Sequence, residues 1–119
     1  MTKIIPLFTA RLFSLHDAEA LLPALRRMTD QAALRVEQIR EQLRFVPRSE
    51  PLFQRLSREM EVEVERWAEK VGKLGCHPKS LWVVAFGSND GASYIWRYGE
   101  EGLHLFHHPS RGLDGLPPS

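Results

Sequence analysis

The sequence predicts an α+β fold, a long antiparallel two-helix hairpin followed by a small three-stranded antiparallel β-meander. Three observations carry that prediction. Leu22, Leu25, Met28, Ala32, Val36, Ile39 and Leu43 recur every three or four residues, as do Phe53, Leu56, Met60, Val64, Trp67, Val71 and Leu74, so each set lines one helical face. If the chain reverses through residues 47–51, with prolines at both ends, facing residues must have numbers with a constant sum. The pairs Leu43 with Phe53, Ile39 with Leu56, Val36 with Met60, Met28 with Trp67 and Leu22 with Leu74 all sum to 95 or 96. After Pro78 the apolar period falls from 3.6 to 2, with turn-forming clusters at Gly87–Gly91 and Gly99–Gly102. The chain is read as one domain, with the hairpin over 15–75, the meander over 81–108 and an irregular tail over 109–119.

Residues 1–12 show no period and are expected to add a strand or to lie loosely over the helices. Ser14 followed by Asp17 reads as a capping box that opens the first helix, and Glu19 suits its positive end. Pro23 removes the amide that would bond the Glu19 carbonyl, which predicts a kink or break there. Ser49 or Glu50 before Pro51 restarts the chain as the second helix. Gly72 and Gly75 mark its far end, where Lys70 and Lys73 face the negative helix pole. The strands are Leu81–Phe86, Ala92–Tyr98 and Leu103–His107, with Trp82 expected opposite Trp96 and Trp96 opposite Leu105. Alternation then turns Trp82, Val84, Tyr94, Trp96, Tyr98, Leu103, Leu105 and His107 toward the helices. Leu81, Val83, Ala85, Ser93, Ile95, Arg97, His104, Phe106 and His108 take the other face.

A net charge of +1 argues against a protein that coats nucleic acid generally, because such binding needs a concentrated basic surface. One cysteine, Cys76, excludes an internal disulfide framework and fits a reducing compartment. The apolar run Ile4-Ile5-Pro6-Leu7-Phe8 is interrupted by Pro6 and followed by no small-residue cleavage pattern, so no signal peptide is expected. No stretch approaches the roughly 20 apolar residues of a membrane span. Cytoplasmic residence and no cofactor are the expectations.

The residues also carry a resemblance. Leu12-Phe13-Ser14-Leu15-His16-Asp17-Ala18-Glu19-Ala20-Leu21-Leu22-Pro23 resembles the opening "LFTLEEANALLP" of a prokaryotic family known as domain of unknown function 2203. Tyr94-Ile95-Trp96-Arg97-Tyr98-Gly99-Glu100 is similar to its "LCWRLGE" strand and turn, and Phe106-His107 with Gly112 and Gly115 sits where it has "WHEVDAGFAGR". The resemblance runs from Leu12 to about Gly115 and implies the helical hairpin. Departures fall at His108, Ser110 and Leu116, where that family has an acid, an aspartate and an arginine. It implies a fold and supplies no activity.

Candidate sites divide into chemistry and surface. Cys76, His77, His104, His107 and His108 offer ligand types that zinc accepts, but adjacent strand residues point to opposite faces, so no metal site is assigned. Glu61, Glu65 and Glu69 progress round the outer side of the second helix and read as a solvated face. Cys76 lies beside a negative helix end, which raises a thiol's pKa and disfavours it as a nucleophile. Arg44, Arg48, Arg55 and Arg58 make the hairpin tip basic, but Phe53, the aromatic read beside them, belongs to the seam. Two apolar groups remain for an interface: Leu34 with Val62 on the hairpin, and Val83, Ile95 and Phe106 on the sheet. The first functional expectation is therefore a non-catalytic interaction or regulatory module, homodimeric through one of these patches, the sheet patch preferred. The second is a small-ligand or metal-binding protein, or an enzyme, using Tyr94, Trp96 and His107 on the aromatic face. Nucleic-acid contact at the basic tip ranks third.

Overall fold

The computed structural model describes residues 11–88 and 91–107. Helix α1 (Leu15–Leu43) opens as its sequence requires, with the Ser14 hydroxyl accepting from the Asp17 amide at 3.0 Å. Phe13 and Ala18, one residue before the cap and four after it, are both buried in the core and staple the entry of the chain. Of the kink or break expected at Pro23, the break does not occur. Leu15–Leu43 is one helix with Pro23 inside it. Pro23 is exposed, while Leu22 and Leu25 beside it are buried and hold the turn.

Helix α2 (Pro51–Lys73) returns antiparallel, capped by Glu50 without a side-chain hydrogen bond and with Pro51 in its first turn. Side-chain bonds between the arms fix the register. The Trp67 indole N–H donates to the Thr29 hydroxyl at 2.9 Å, and Arg35 lies 3.6 Å from Glu59 and 3.9 Å from Glu63. Those pairs bracket the sum that the apolar stripes predict. Leu22, Leu25, Ala32, Val36 and Ile39 on α1 and Leu56, Trp67 and Val71 on α2 are buried accordingly. Thr29 is the residue that periodicity missed: it is fully buried, and its hydroxyl gives the deep Trp67 indole the partner a buried donor needs.

The end of α2 carries two nested bonds, Cys76 N–H to the Val71 carbonyl at 3.3 Å and Gly75 N–H to the Gly72 carbonyl at 2.9 Å. Gly75 takes φ 91°, the left-handed conformation that closes such an end, whereas Gly72 stays helical and buried. A side-chain carbon on Gly75 would fall 2.5 Å from Cγ of Arg11. The segment before α1 is laced here, since Arg11 N–H donates to the Gly75 carbonyl at 3.1 Å and Phe13 N–H to the Gly87 carbonyl at 2.8 Å. Leu12 forms an isolated parallel bridge with Gly87. The first ten residues and the tail over 109–119 lie outside the described residues.

The sheet has four strands where the sequence reading has three: β1 (His77–Ser80), β2 (Val83–Gly87), β3 (Ala92–Arg97) and β4 (His104–His107), antiparallel in that order. Pro78 hides β1 from pattern reading, yet an edge strand tolerates proline, and the register shifts between Pro78 and Ser80. Pairing also differs by two residues from expectation. Trp96 lies opposite Val84 and Leu105 opposite Tyr94, instead of Trp82 with Trp96 and Trp96 with Leu105. A slip of two leaves every side chain on its expected face.

Val84, Phe86 and Trp96 are therefore buried beneath the base of the hairpin, with Leu25, Trp67 and Val71 in the same cluster. Edge-on contacts of Trp67 with Trp82 (4.9 Å) and Phe13 with Phe86 (5.2 Å) join helices, entry segment and sheet. Leu105 and Tyr98, on the same face, stay exposed, Tyr98 touching α1 through its hydroxyl.

Candidate interaction surfaces

Val83, Ile95 and Phe106 come together on the face turned from the helices. The register pairs Val83 with Arg97, Ile95 with Ala85 and His104, and Phe106 with Ser93, so the three step diagonally across β2, β3 and β4. Val83 and Ile95 are half-buried and Phe106 is 51% exposed, while Ala85 and Ser93 between them are covered. Exposed His77, Arg97 and His104 form the rim. An apolar centre inside a polar border is the anatomy of a binding face.

Of the other expected pair, Leu34 is 61% exposed on α1, and Val62 is half-buried on α2, where it lines a cleft of about 540 Å³ with Arg35, Pro51, Arg55, Glu59 and Arg66. That cleft runs along α2 from the tip. At the tip itself stands Phe45, which belongs to neither stripe and is 80% exposed. Arg44 lies 5.9 Å from its ring centre, and Arg48 lies 5.9 Å from that of Phe53.

Of the aromatic ligand face, the central residue is not on the surface. Trp96 is wholly buried, with its indole N–H donating to the Glu100 carbonyl at 3.0 Å, and Tyr94 is half-buried against the same core. The side chain of His107 lies outside the described residues. What opens beside Trp96 is a smaller cleft of about 280 Å³ between α1 and the β3–β4 turn, lined by Arg26, Asp30, Tyr98, Glu100 and Glu101. Two of its polar side chains donate hydrogen bonds, while a Glu100 carboxylate oxygen is buried without one among the described residues. The Tyr98 hydroxyl donates to Asp30 at 2.6 Å, Arg26 donates to the Glu101 carbonyl, and His104 sits 3.1 Å from Glu100. The hydrogen bond to Asp30, with lesser contributions from burial and the Asp30 charge, pushes the Tyr98 phenol up from its ordinary range.

Cys76 is buried, and desolvation pushes its thiol up to about 12 against the opposing charge of Arg11. Burial, rather than the helix end, is thus the leading cause. Among the described residues no three His, Cys, Asp or Glu side chains are placed to hold a metal ion, and no helix is long and apolar enough to cross a membrane. Cys76 is buried while its neighbour His77 is exposed at the start of β1. The glutamates behave as the sequence reading expects: Glu61 and Glu65 are exposed, 2.9 and 3.9 Å from Arg58.

A family model described as an uncharacterised conserved protein (DUF2203) matches residues 11–118. No curated protein and no solved structure matches the chain. Two of the three stretches that carry the resemblance have structural tasks here. Phe13 and Ser14 fix the start of α1, and Trp96 anchors the sheet while its indole ties down the turn at Glu100.

Proposed function

The chain belongs to the uncharacterised domain of unknown function 2203 family, and for this member we propose a non-catalytic interaction module that self-associates through the outer face of its sheet. The carrying observation is the diagonal of Val83, Ile95 and Phe106. A sheet with one solvated face ordinarily alternates apolar-in and polar-out, and here three adjacent strands each place an apolar side chain outward at neighbouring positions. A second copy suits this face because a two-fold axis through Ile95 would lay each apolar diagonal on the other and leave His77, Arg97 and His104 at the solvated rim. A binding role also agrees with the state of the candidate chemical groups. The single thiol is buried with a raised pKa, and Trp96 is committed to the core.

Light scattering across a dilution series into the micromolar range tests the reading. The expected result is a dimer that Phe106→Lys converts to monomer and Leu34→Lys does not. A monomer mass throughout, or a dimer that Leu34→Lys alone dissociates, would overturn it.

A further inference from the structure

The hairpin tip presents a second surface of different chemistry. Of the four arginines between residues 44 and 58, Arg44 is bonded to Glu41 at 2.9 Å and Arg58 to Glu61 at 2.9 Å. Arg48 and Arg55 have no carboxylate within 4.0 Å among the described residues. The cleft along α2 begins at Pro51 beside them and continues past Arg58 to Arg66, about 22 Å of helix. Its carboxylates, Glu59 and Glu63, already face Arg35. Between residues 44 and 58 the exposed Glu50 is the one carboxylate set against the four arginines, which leaves the tip net positive. A lone exposed apolar residue needs no explanation. Phe45 is different because its ring stands at the same end of the hairpin as Arg48 and Arg55, while the sheet packs against the other end.

We infer that this tip binds a single-stranded phosphodiester chain, with Phe45 stacking on a base and Arg48 and Arg55 taking phosphates along the α2 cleft. Three features favour that class of ligand. An exposed aromatic ring accepts the face of any base, so no donor–acceptor code is needed. Guanidinium groups beside the rings of Phe45 and Phe53 serve equally as phosphate partners and as stacking planes. Four of the nine residues that line the cleft are arginines against two glutamates, so its charge suits a polyanion better than an amphipathic helix. A lipid surface fits less well, because only Phe45 and the 38% exposed Leu52 offer large apolar groups there. The overall charge of +1 is no obstacle, since the electrostatic work falls to a local pair of arginines; it sets a modest affinity. The inference is independent of the sheet-face dimer.

The test is fluorescence anisotropy of a labelled oligothymidylate against the full chain at low salt, repeated in the presence of phosphatidylserine vesicles. Binding is expected with a slope of log affinity against log salt of about −1.4 for two phosphates neutralised, reduced by about 0.7 in Arg48→Gln and again in Arg55→Gln. Phe45→Ala is expected to weaken binding roughly 5- to 150-fold with the salt slope kept, the signature of a lost base stack rather than a lost charge. Lys73→Gln, at the far end of α2, is expected to leave both affinity and salt slope unchanged. Absence of binding at low salt would overturn the inference. So would binding that Phe45→Ala leaves intact, which marks unspecific polyanion adsorption, or full displacement of the oligonucleotide from the protein by the vesicles, which marks a membrane surface.

Discussion

At the base of the hairpin Leu25, Trp67 and Val71 meet across the seam and lie beneath Val84 and Trp96, so they are enclosed on all sides. At the tip Leu43 and Phe53 meet across the same seam with the same spacing, and both remain half-buried. Pattern is constant along the hairpin while burial is not. Two helices shield a stripe of each other, enough to bury Ile39 and Leu56, but that stripe joins the main core only where the sheet adds a third layer. The base thus holds the fold together. The tip keeps charge and an aromatic ring available.

The largest effect expected from this contrast lies at Trp67. Trp67→Ala removes the ring packed on Trp82 and leaves the Thr29 hydroxyl without its donor, and is expected to cost about 3–5 kcal/mol in chemical denaturation. Phe45→Ala, an equally large deletion at the tip, is expected to change stability by less than about 0.5 kcal/mol. Equal losses at the two sites would erase the distinction between base and tip.

Next in size is the helix end at Gly75. Its positive φ alone makes Gly75→Ala cost about 1–3 kcal/mol, and the Arg11 side chain 2.5 Å from the added carbon raises that further. Gly99, at φ 96° with nothing within 4 Å of the same carbon, supplies the control. Thermal melts are expected to rank Gly75→Ala below Gly99→Ala. A reversed ranking would mean that Arg11 does not pack against the base.

The smallest effect is electrostatic, where Tyr98 ties the sheet to Asp30 on α1. Because the folded-state phenol titrates above its unfolded value of 10.0, its contribution is complete below that pH and is lost as pH rises through the elevated folded pKa. Stability measured in alkaline buffers is therefore expected to fall less steeply for Tyr98→Phe than for the parent. Parallel curves would show that the Asp30 bond does not persist in solution.

Helical periodicity, the antiparallel register, the Ser14 cap and the two faces of the sheet were legible in the sequence because each follows from local geometry: 3.6 or 2 residues per repeat, a hydroxyl within reach of an amide, a chain that doubles back. Even a two-residue error in strand pairing left Val83, Ile95 and Phe106 on their correct face. What local geometry does not hold is which side of an element another element will cover. Thr29 entered the core because Trp67 needed an acceptor from the opposite helix, and Pro23, itself exposed, stayed helical because Leu22 and Leu25 beside it are buried and hold the turn. Pro78 joined a strand because β1 is an edge. Trp96, an attractive ligand platform in the sequence, was committed to the core, and Phe45, absent from both stripes, was left in the open. Those outcomes depend on contacts between residues far apart in the chain, and only the packed structure decides them.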